Sequence, residues 1–291
     1  MRTLIQVPDG LKRKALDIAD KTGNAIICAE PCYGGCDLRE REAVMLGCKK
    51  IIHVGHSKFL KNKLPVEYME EQTDADPLLI IDREFEKIDC YDNIGIVASL
   101  QFVELIGKVR KELEKRRKHV FVGRAKGLRP GQILGCNTAA ARAIEKDVDC
   151  FLIISSGKFH ALGLAMATSK PVIVLDIEQG TIADMFVMKQ MMLKQRYAAI
   201  ALAKDAEKFG ILISTKPGQV NVKLAEQIKK KISAVGKKAY MLAMDEIKPE
   251  KLIGFGLDAY ICTACPRIAI ENRTAFNKPI LNPDEFEQIF K

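Results

Sequence analysis

Three cysteines that lie far apart in the sequence have the residue type and the spacing to bind one shared metal ion or iron–sulfur cluster. Cys36 and Cys136 each follow a glycine, and GHSKF at 55–59 aligns with SSGKF at 155–159 at the same offset of 100 residues. Cys265 lies in a third related block. Thiolates are ligands that proteins use for zinc and for iron–sulfur clusters. One cysteine from each repeat is the pattern that a site at a common centre requires.

A local zinc site is a competing interpretation. It uses four cysteines, the second pair with zinc-like spacing: Cys32, Cys36, Cys262 and Cys265. The repeat argues for the other set, because it aligns Cys36 with Cys136 but places Gln132 opposite Cys32. A zinc site would also give Cys136 no role. The residues alone leave three alternatives open, namely a three-cysteine site, a zinc site, and thiols that bind no metal.

The cysteine count and the first residues predict a reducing compartment. The chain has nine cysteines, and it begins MRTLIQVP, without the apolar stretch of a secretory signal. We therefore expect a cytoplasmic protein without a disulfide framework. Four further cysteines are predicted to be structural: Cys28, Cys48, Cys90 and Cys150. For Cys32 and Cys262, lining the proposed site and packing in the core both stay open.

The formal net charge of +9 does not by itself indicate a nucleic-acid-binding protein. The basic residues gather in runs such as 108–118 and 229–231, which are typical of solvated helix faces. No basic stretch is interleaved with aromatic residues that would stack on bases. The apolar runs are far shorter than the ~18 residues of a membrane span. We expect no membrane span and no direct nucleic-acid binding.

Strands and helices alternate along the chain, which predicts an α/β fold with mostly parallel sheets. The predicted strand at 94–99 matches one at 209–214, and the strand at 120–122 matches one at 239–243. These strands are rich in Ile, Val and Leu, as strands buried on both faces of a parallel sheet are. We predict three repeated Rossmann-like domains with one of the three cysteines in each. Their bounds are 1–90, 91–182 and 183–291.

Each of the three cysteines is expected in a loop at the carboxyl end of a strand, where α/β sheets gather their ligands. Cys36 and Cys136 follow the second strands of their units, whereas Cys265 follows a later strand. A predicted helix start comes directly after each cysteine, and the residues that indicate it are Asp37 with Glu40, Asn137 with Thr138, and Pro266. A helix N-terminus favours the thiolate form, which is the form that binds metal.

Three thiolates suit an iron–sulfur cluster with one iron left without a protein ligand. Electron carriers of the ferredoxin type use four cysteines, because a fully ligated cluster only passes electrons. An iron with an open position can bind a substrate, which is the arrangement of an enzyme. The alternatives from other functional classes are a zinc-bearing α/β scaffold and an iron–sulfur electron-transfer protein.

Five motifs, in order along almost the whole chain, resemble the archaeal diphthamide synthase family of 3-amino-3-carboxypropyl transferase subunits. They are PCYGGCDL at 31–38, HVGHS at 53–57, ILGCN at 133–137, STKPGQ at 214–219 and TACPRIAI at 263–270. The resemblance implies an unconventional radical enzyme in which three cysteines, one from each repeat, hold a 4Fe-4S cluster that binds S-adenosylmethionine. By motif match these ligands are Cys36, Cys136 and Cys265.

The same resemblance implies the reaction and the partners. A 3-amino-3-carboxypropyl radical, made by reductive cleavage of S-adenosylmethionine, adds to one histidine of translation elongation factor 2. Methylthioadenosine is the other product, and the reaction is the first step of diphthamide biosynthesis. The family resemblance further implies a homodimer and an external electron donor.

Residues of these motifs, together with two serines of the repeat at 155–159, are the candidates for binding S-adenosylmethionine. They are Lys216, Gly218, Gln219, Arg267, His53, His56, Ser155 and Ser156. Lys216 and Arg267 could pair with the methionine carboxylate, and Gly218 would allow close backbone approach. Each has an ordinary alternative, namely a plain strand-to-helix turn, an arginine that faces solvent, or a histidine bonded to nearby backbone.

Overall fold

The structure is a computed structural model that describes residues 1–271 and 275–289. The chain forms two compact units, each built from separate segments of the sequence. The first unit comprises Met1–Ala29, Leu46–Lys58 and Leu64–Gln190. The second comprises Glu30–Met45, Phe59–Lys63 and Met191–Lys291. Within the described ranges, no helix combines the length and the apolar character needed to cross a membrane.

The first unit contains two sheets, the first of which has four parallel strands. The strands are β1 (Thr3–Gln6), β2 (Ala25–Ile27), β3 (Lys50–Val54) and β4 (Val66–Met69). Their order is β2-β1-β3-β4, and every pair is parallel. A 3-10 turn at Asp9–Leu11 leads into helix α1 (Lys12–Thr22), which buries Ala15 and Ile18 against this sheet.

The second sheet of this unit has five strands. They are β5 (Asn93–Ala98), β6 (His119–Phe121), β7 (Cys150–Ser155), β8 (Val172–Asp176) and β9 (Thr181–Asp184), in the order β6-β5-β7-β8-β9. All pairs are parallel except β8 with β9. Its helices are α3 (Leu78–Glu84), α4 (Ile106–Lys115), α5 (Ala139–Arg142) and α6 (Phe159–Ala167), with 3-10 turns at Phe85–Lys87 and Leu100–Leu105.

The second unit is built on one parallel sheet. Its strands are β10 (Lys208–Ser214), β11 (Lys238–Met244), β12 (Ala259–Cys262) and β13 (Ile280–Leu281), in the order β11-β10-β12-β13. The unit also contains α2 (Glu40–Met45), α8 (Val222–Ala234), a 3-10 turn at Pro249–Leu252, α9 (Pro266–Glu271) and α10 (Pro283–Phe286). A longer helix, α7 (Phe186–Lys204), precedes β10 in the chain.

The same strand order recurs in all three sheets, with the second strand at one edge, then the first, the third and the fourth. The predicted α/β architecture with mostly parallel sheets is confirmed, and β5 and β10 are the corresponding first strands that the sequence pattern matched. Helix α3, which precedes residue 91, packs in the core of the second sheet, and β9 spans Thr181–Asp184.

The predicted helix starts are met in two of three cases. Helix α9 begins at Pro266, and the Asn137 side chain accepts from the Ala139 amide at 3.0 Å where α5 begins. The predicted capping box at Asp37 is wrong, because α2 begins only at Glu40. The Asp37 carboxylate instead forms ion pairs with Lys216 and Arg39 next to Cys36.

Candidate functional site

Cys36 lies in a short loop whose segment, Glu30–Met45, belongs to the second unit. The loop turns tightly, since the Asp37 amide donates to the Gly34 carbonyl at 2.9 Å. Leu38 and Arg39 are buried after it, whereas Cys36 keeps part of its surface exposed. The partners of this loop come from the turn that follows β10, far away in the sequence.

A buried ion-pair network fixes the residue next to Cys36. The Lys216 ammonium donates to Asp37 Oδ2, and Arg39 Nε lies 3.3 Å from Asp37 Oδ1. Asp37 is fully buried, and Lys216 and Arg39 are nearly so. A buried carboxylate needs such cations, since an unpaired charge inside a protein is costly. The sequence predicts Lys216 as a ligand of S-adenosylmethionine, but the structure gives its ammonium a partner within the protein.

Gly218 brings the same turn against the backbone of Cys36. Its amide donates to the Cys36 carbonyl at 2.8 Å. A Cβ added at Gly218 would lie 2.6 Å from Cys36 Cβ and 2.8 Å from Cys36 O. The predicted close approach at this glycine therefore exists, but its partner is the Cys36 loop. Gln219 completes the contact, with its Nε2 3.4 Å from Cys36 Sγ.

We expect Gly218→Ala to lower the free energy of unfolding by about 1–3 kcal/mol, because the new methyl group meets backbone atoms that cannot move aside. Gly107→Ala is the matched control, since nothing lies within 4 Å of a Cβ added there. That control should be neutral or stabilising by up to about 1 kcal/mol. Urea unfolding of both variants measures the difference, and equal stabilities would contradict the close packing described for Gly218.

Cys265 lies between strand β12 and helix α9. Thr263 anchors the end of the strand, because its amide and its hydroxyl both donate to the Leu212 carbonyl, at 3.0 and 2.9 Å. The Cys262 thiol donates to the Cys265 carbonyl at 3.7 Å. The prediction that Cys265 follows a later strand is confirmed, since β12 is the third strand of its sheet. Arg267, predicted to bind a carboxylate, is buried and pairs with Glu271.

Arg196 of α7 holds helix α9, which follows Cys265, through hydrogen bonds. Its guanidinium donates to the Ala269 carbonyl of α9, to the Ile280 carbonyl at 2.8 Å, and to both carboxylate oxygens of Glu285. Arg196 is 3% exposed and Glu285 is 9% exposed. The sequence did not indicate this residue, because its partners lie more than seventy residues away.

Cys136 lies at the tip of a tight turn in the first unit. The Leu134 and Asn137 backbones exchange hydrogen bonds of 2.9 and 3.1 Å, so Gly135 and Cys136 form a two-residue loop. The Ile133 amide donates to the carbonyl of Ala98, the last residue of β5, at 2.9 Å. Cys136 is therefore exposed at the carboxyl end of the second sheet.

The exposure of the cysteines separates the two proposed ligand sets. Cys36 and Cys265 are partly exposed and Cys136 is exposed. Burial raises the pKa of Cys32 and Cys262 to about 12, so both thiols hold their protons at neutral pH. The two sets therefore differ in that the three-cysteine set includes the exposed Cys136, where the zinc set includes the buried Cys32 and Cys262. No disulfide joins any of the nine cysteines, all of which lie in the described ranges.

The other predicted structural cysteines differ in their surroundings. Cys48 and Cys150 are buried, as expected, and burial raises the pKa of Cys150 to about 12. Cys28 is partly exposed. Cys90 is exposed, so a role as a small buried apolar residue is wrong for it.

His53 and His56 form a pair in the first unit. His53 is fully buried, with Nδ1 3.2 Å from Gln6 Oε1 and Nε2 3.1 Å from His56 Nδ1. Burial lowers the pKa of His53 to about 3 and that of His56 to about 4, so both rings are neutral at pH 7. Ser155 and Ser156 lie in the segment that the repeat aligns with the loop of His56. Ser155 is buried, and its hydroxyl donates to the Gly157 carbonyl at 3.2 Å, whereas Ser156 is partly exposed.

The histidine pair predicts a pH dependence of stability. Below about pH 6.5 the unfolded chain binds protons that the buried rings do not, so the free energy of unfolding falls as pH falls toward about 4. Each histidine contributes at most about 1.4 kcal/mol per pH unit. Urea unfolding at pH 7, 6 and 5 should show a shallower slope for His53→Gln. The exposed His119, changed to Gln, should keep the original slope; equal slopes for the two variants would refute this role of His53.

Parallel α/β sheets with exposed or partly exposed cysteines in three separate loops define a class, that of α/β proteins whose accessible cysteines are dispersed over several loops. The chain belongs to the diphthamide synthesis protein family, whose sequence model matches residues 7–291. It is 34% identical to a 2-(3-amino-3-carboxypropyl)histidine synthase of Pyrococcus horikoshii, over 98% of this chain and 84% of that protein. It is 28% identical to subunit 1 of the corresponding synthase of Gallus gallus, over 98% of this chain and 71% of that protein.

The fold has the same relatives. The crystal structure of Dph2 from Pyrococcus horikoshii with a 4Fe-4S cluster superposes with a TM-score of 0.91 at 32% identity, and the match covers 99% of this chain and 85% of that chain. A second crystal structure of the same Dph2 superposes with a TM-score of 0.92 at the same identity.

Proposed function

We propose that this chain is a 2-(3-amino-3-carboxypropyl)histidine synthase. It transfers the 3-amino-3-carboxypropyl group of S-adenosylmethionine to a histidine of translation elongation factor 2, the first step of diphthamide biosynthesis. The observation that carries the proposal is the match to a synthase of that name over 98% of this chain. All three cysteine loops fall within residues 7–291, the span of the family match.

We further propose that Cys36, Cys136 and Cys265 hold a 4Fe-4S cluster. When bound, such a cluster supplies an electron and an iron position without a protein ligand to S-adenosylmethionine. Support comes from the accessibility of the thiols, because these three are exposed or partly exposed whereas Cys32 and Cys262 are buried. The crystal structure of the related Dph2 with a 4Fe-4S cluster supports a cluster of this type.

The residues of the chain position the thiols in three different ways. The Lys216–Asp37 pair and the Gly218 contact fix the backbone around Cys36. Arg196 fixes α9, which begins directly after Cys265. Cys136 is positioned by the tight turn between Leu134 and Asn137. We infer that each loop is arranged before the cluster binds, so that binding costs little ordering of the backbone.

The chain is also proposed to consist of three Rossmann-like repeats, at 1–90, 91–182 and 183–291, each contributing one cysteine. The shared strand order of the three sheets supports this proposal. The segment around Cys36 would then have moved from the contacts of its own repeat to those of the third, since it packs with the turn after β10.

The remaining assignments of the site stay predictions. The residues proposed to contact S-adenosylmethionine are those predicted from the sequence, namely Lys216, Gly218, Gln219, Arg267, His53, His56, Ser155 and Ser156. An external electron donor and a homodimer are proposed from the family resemblance. A cytoplasmic location is proposed because an odd number of cysteines, nine, argues against a disulfide framework.

The decisive experiment is anaerobic reconstitution with iron and sulfide, followed by reduction in the presence of S-adenosylmethionine. We expect about four irons per chain and the appearance of methylthioadenosine. Elongation factor 2 should gain the transferred group on one histidine, which mass spectrometry detects. A reconstituted protein without a cluster, or one that releases only 5′-deoxyadenosine, would refute the proposed function.

A further inference from the structure

The side chain of Gln219 is the polar group that the turn after β10 directs at the sulfur of Cys36. Its Nε2 lies 3.4 Å from Cys36 Sγ, which is hydrogen-bond distance for a sulfur acceptor. A thiolate has no hydrogen to donate, so only the NH₂ end of an amide can face it favourably. The amide therefore already presents to Cys36 the end that a ligand thiolate requires.

The backbone on both sides of Gln219 is held in place. The Gly218 amide is bonded to the Cys36 carbonyl at 2.8 Å, and the Gln219 amide is bonded to the Lys216 carbonyl at 2.9 Å. Two residues later, Asn221 caps helix α8 by accepting from the Leu224 amide at 3.2 Å. The backbone from which the Gln219 side chain extends is thus held by the same turn that contacts the Cys36 backbone.

A hydrogen bond to a ligand sulfur has a defined electrical effect on an iron–sulfur cluster. Reduction adds negative charge, which spreads onto the ligand sulfurs. A donor that faces one of these sulfurs stabilises the reduced form more than the oxidised form, so it raises the reduction potential. A glutamine supplies this effect without adding a net charge to the site.

We propose that Gln219 is a positioning residue that donates a hydrogen bond to the Cys36 thiolate and raises the reduction potential of the cluster. This inference rests on the proposed function, because it takes Cys36 as a cluster ligand. Gln219 does not hold the cluster, which remains bound by three thiolates. It sets how readily the bound cluster accepts an electron.

The test compares three variants by anaerobic redox titration, with iron content and the electron paramagnetic resonance spectrum of the reduced cluster as further readouts. Gln219→Leu removes the donor at similar size, and Gln219→Glu replaces it by a negative charge. Gln227→Leu is the matched control, since Gln227 is an exposed glutamine of helix α8. We expect full iron content in all three, a more negative potential for Gln219→Leu, a still more negative one for Gln219→Glu, and no shift for Gln227→Leu.

Each other outcome is decisive. A wild-type potential in Gln219→Leu would overturn the inference and leave the proposed function intact. Loss of iron from both Gln219 variants, with the control loaded, would also overturn it, because Gln219 would then be needed to hold the cluster. A wild-type chain that binds no cluster would overturn the proposed function itself.

Discussion

Replacement of Cys136 by alanine is expected to abolish methylthioadenosine formation and to lower the iron content of the reconstituted protein. Loss of an outer-shell partner costs roughly 10–100-fold in metal affinity or activity, and loss of one of three ligands should cost more. Cys136 lies on an exposed turn, so its replacement leaves the core of its sheet unchanged. Iron analysis and chromatographic assay of the product measure both effects.

Two further cysteine variants serve as controls for this prediction. Cys90→Ala changes another exposed cysteine and should keep full iron content and activity. Cys32→Ala changes a buried thiol that a zinc site would require, and it should keep iron although it loses some packing. If Cys32→Ala loses the metal while Cys136→Ala retains it, the zinc set is correct and the three-cysteine set is wrong.

Replacement of Arg196 by methionine is expected to lower the free energy of unfolding by about 3–5 kcal/mol, the range found when one partner of a buried ion pair is removed. The Glu285 carboxylate would keep only 9% exposure and lose its cation. Two carbonyls, of Ala269 and Ile280, would lose their donor at the same time. Denaturant unfolding of the apo-protein measures the loss.

An exposed ion pair of the same unit provides the control. Lys231 pairs with Glu287, and their side chains are 55% and 46% exposed. Lys231→Met should therefore cost about 0–1 kcal/mol. The double variant Arg196→Met/Glu285→Leu should recover part of the loss, because it removes the uncompensated charge. Equal effects of Arg196→Met and Lys231→Met would show that the buried network does not stabilise α9 as described.

The sheets could be predicted because their strands are buried on both faces. The strands β5 and β10 were predicted within one residue, because apolar residues that are buried on both faces dominate both strands. These signals are local, so they survive in a single sequence.

Helix α7 was not predicted, and its burial explains why. Of its four buried positions only Ile200 is large and apolar, and the others are Arg196, Ala199 and Ala203. Large apolar side chains point outward instead, namely those of Phe186, Val187, Met191, Tyr197 and Leu202. Apolar residues thus lie on the exposed side of α7 as well as on the buried side. The helical periodicity of the sequence therefore does not indicate which side packs against the protein.

The candidate site was predictable in part. The repeat selected Cys36 and Cys136, and the structure supports that selection by their exposure. The turn at 216–219 was recognised as important but was assigned to the cofactor. Its contacts with Asp37 and Cys36 depend on an approach of chain segments 179 and 183 residues apart, and no local pattern encodes such a pairing.

The distance in sequence between Asp37 and Lys216 also sets an order of events during synthesis. Residues leave the ribosome from the N-terminus onward, so the Cys36 thiol is made long before the turn at 216–219 that receives it. A nascent chain that ends before β10 contains Cys36 and Cys136 but lacks the turn at 216–219, so the contacts of that turn with Cys36 cannot form. The arrangement of the Cys36 loop can therefore form only after the third sheet has been translated.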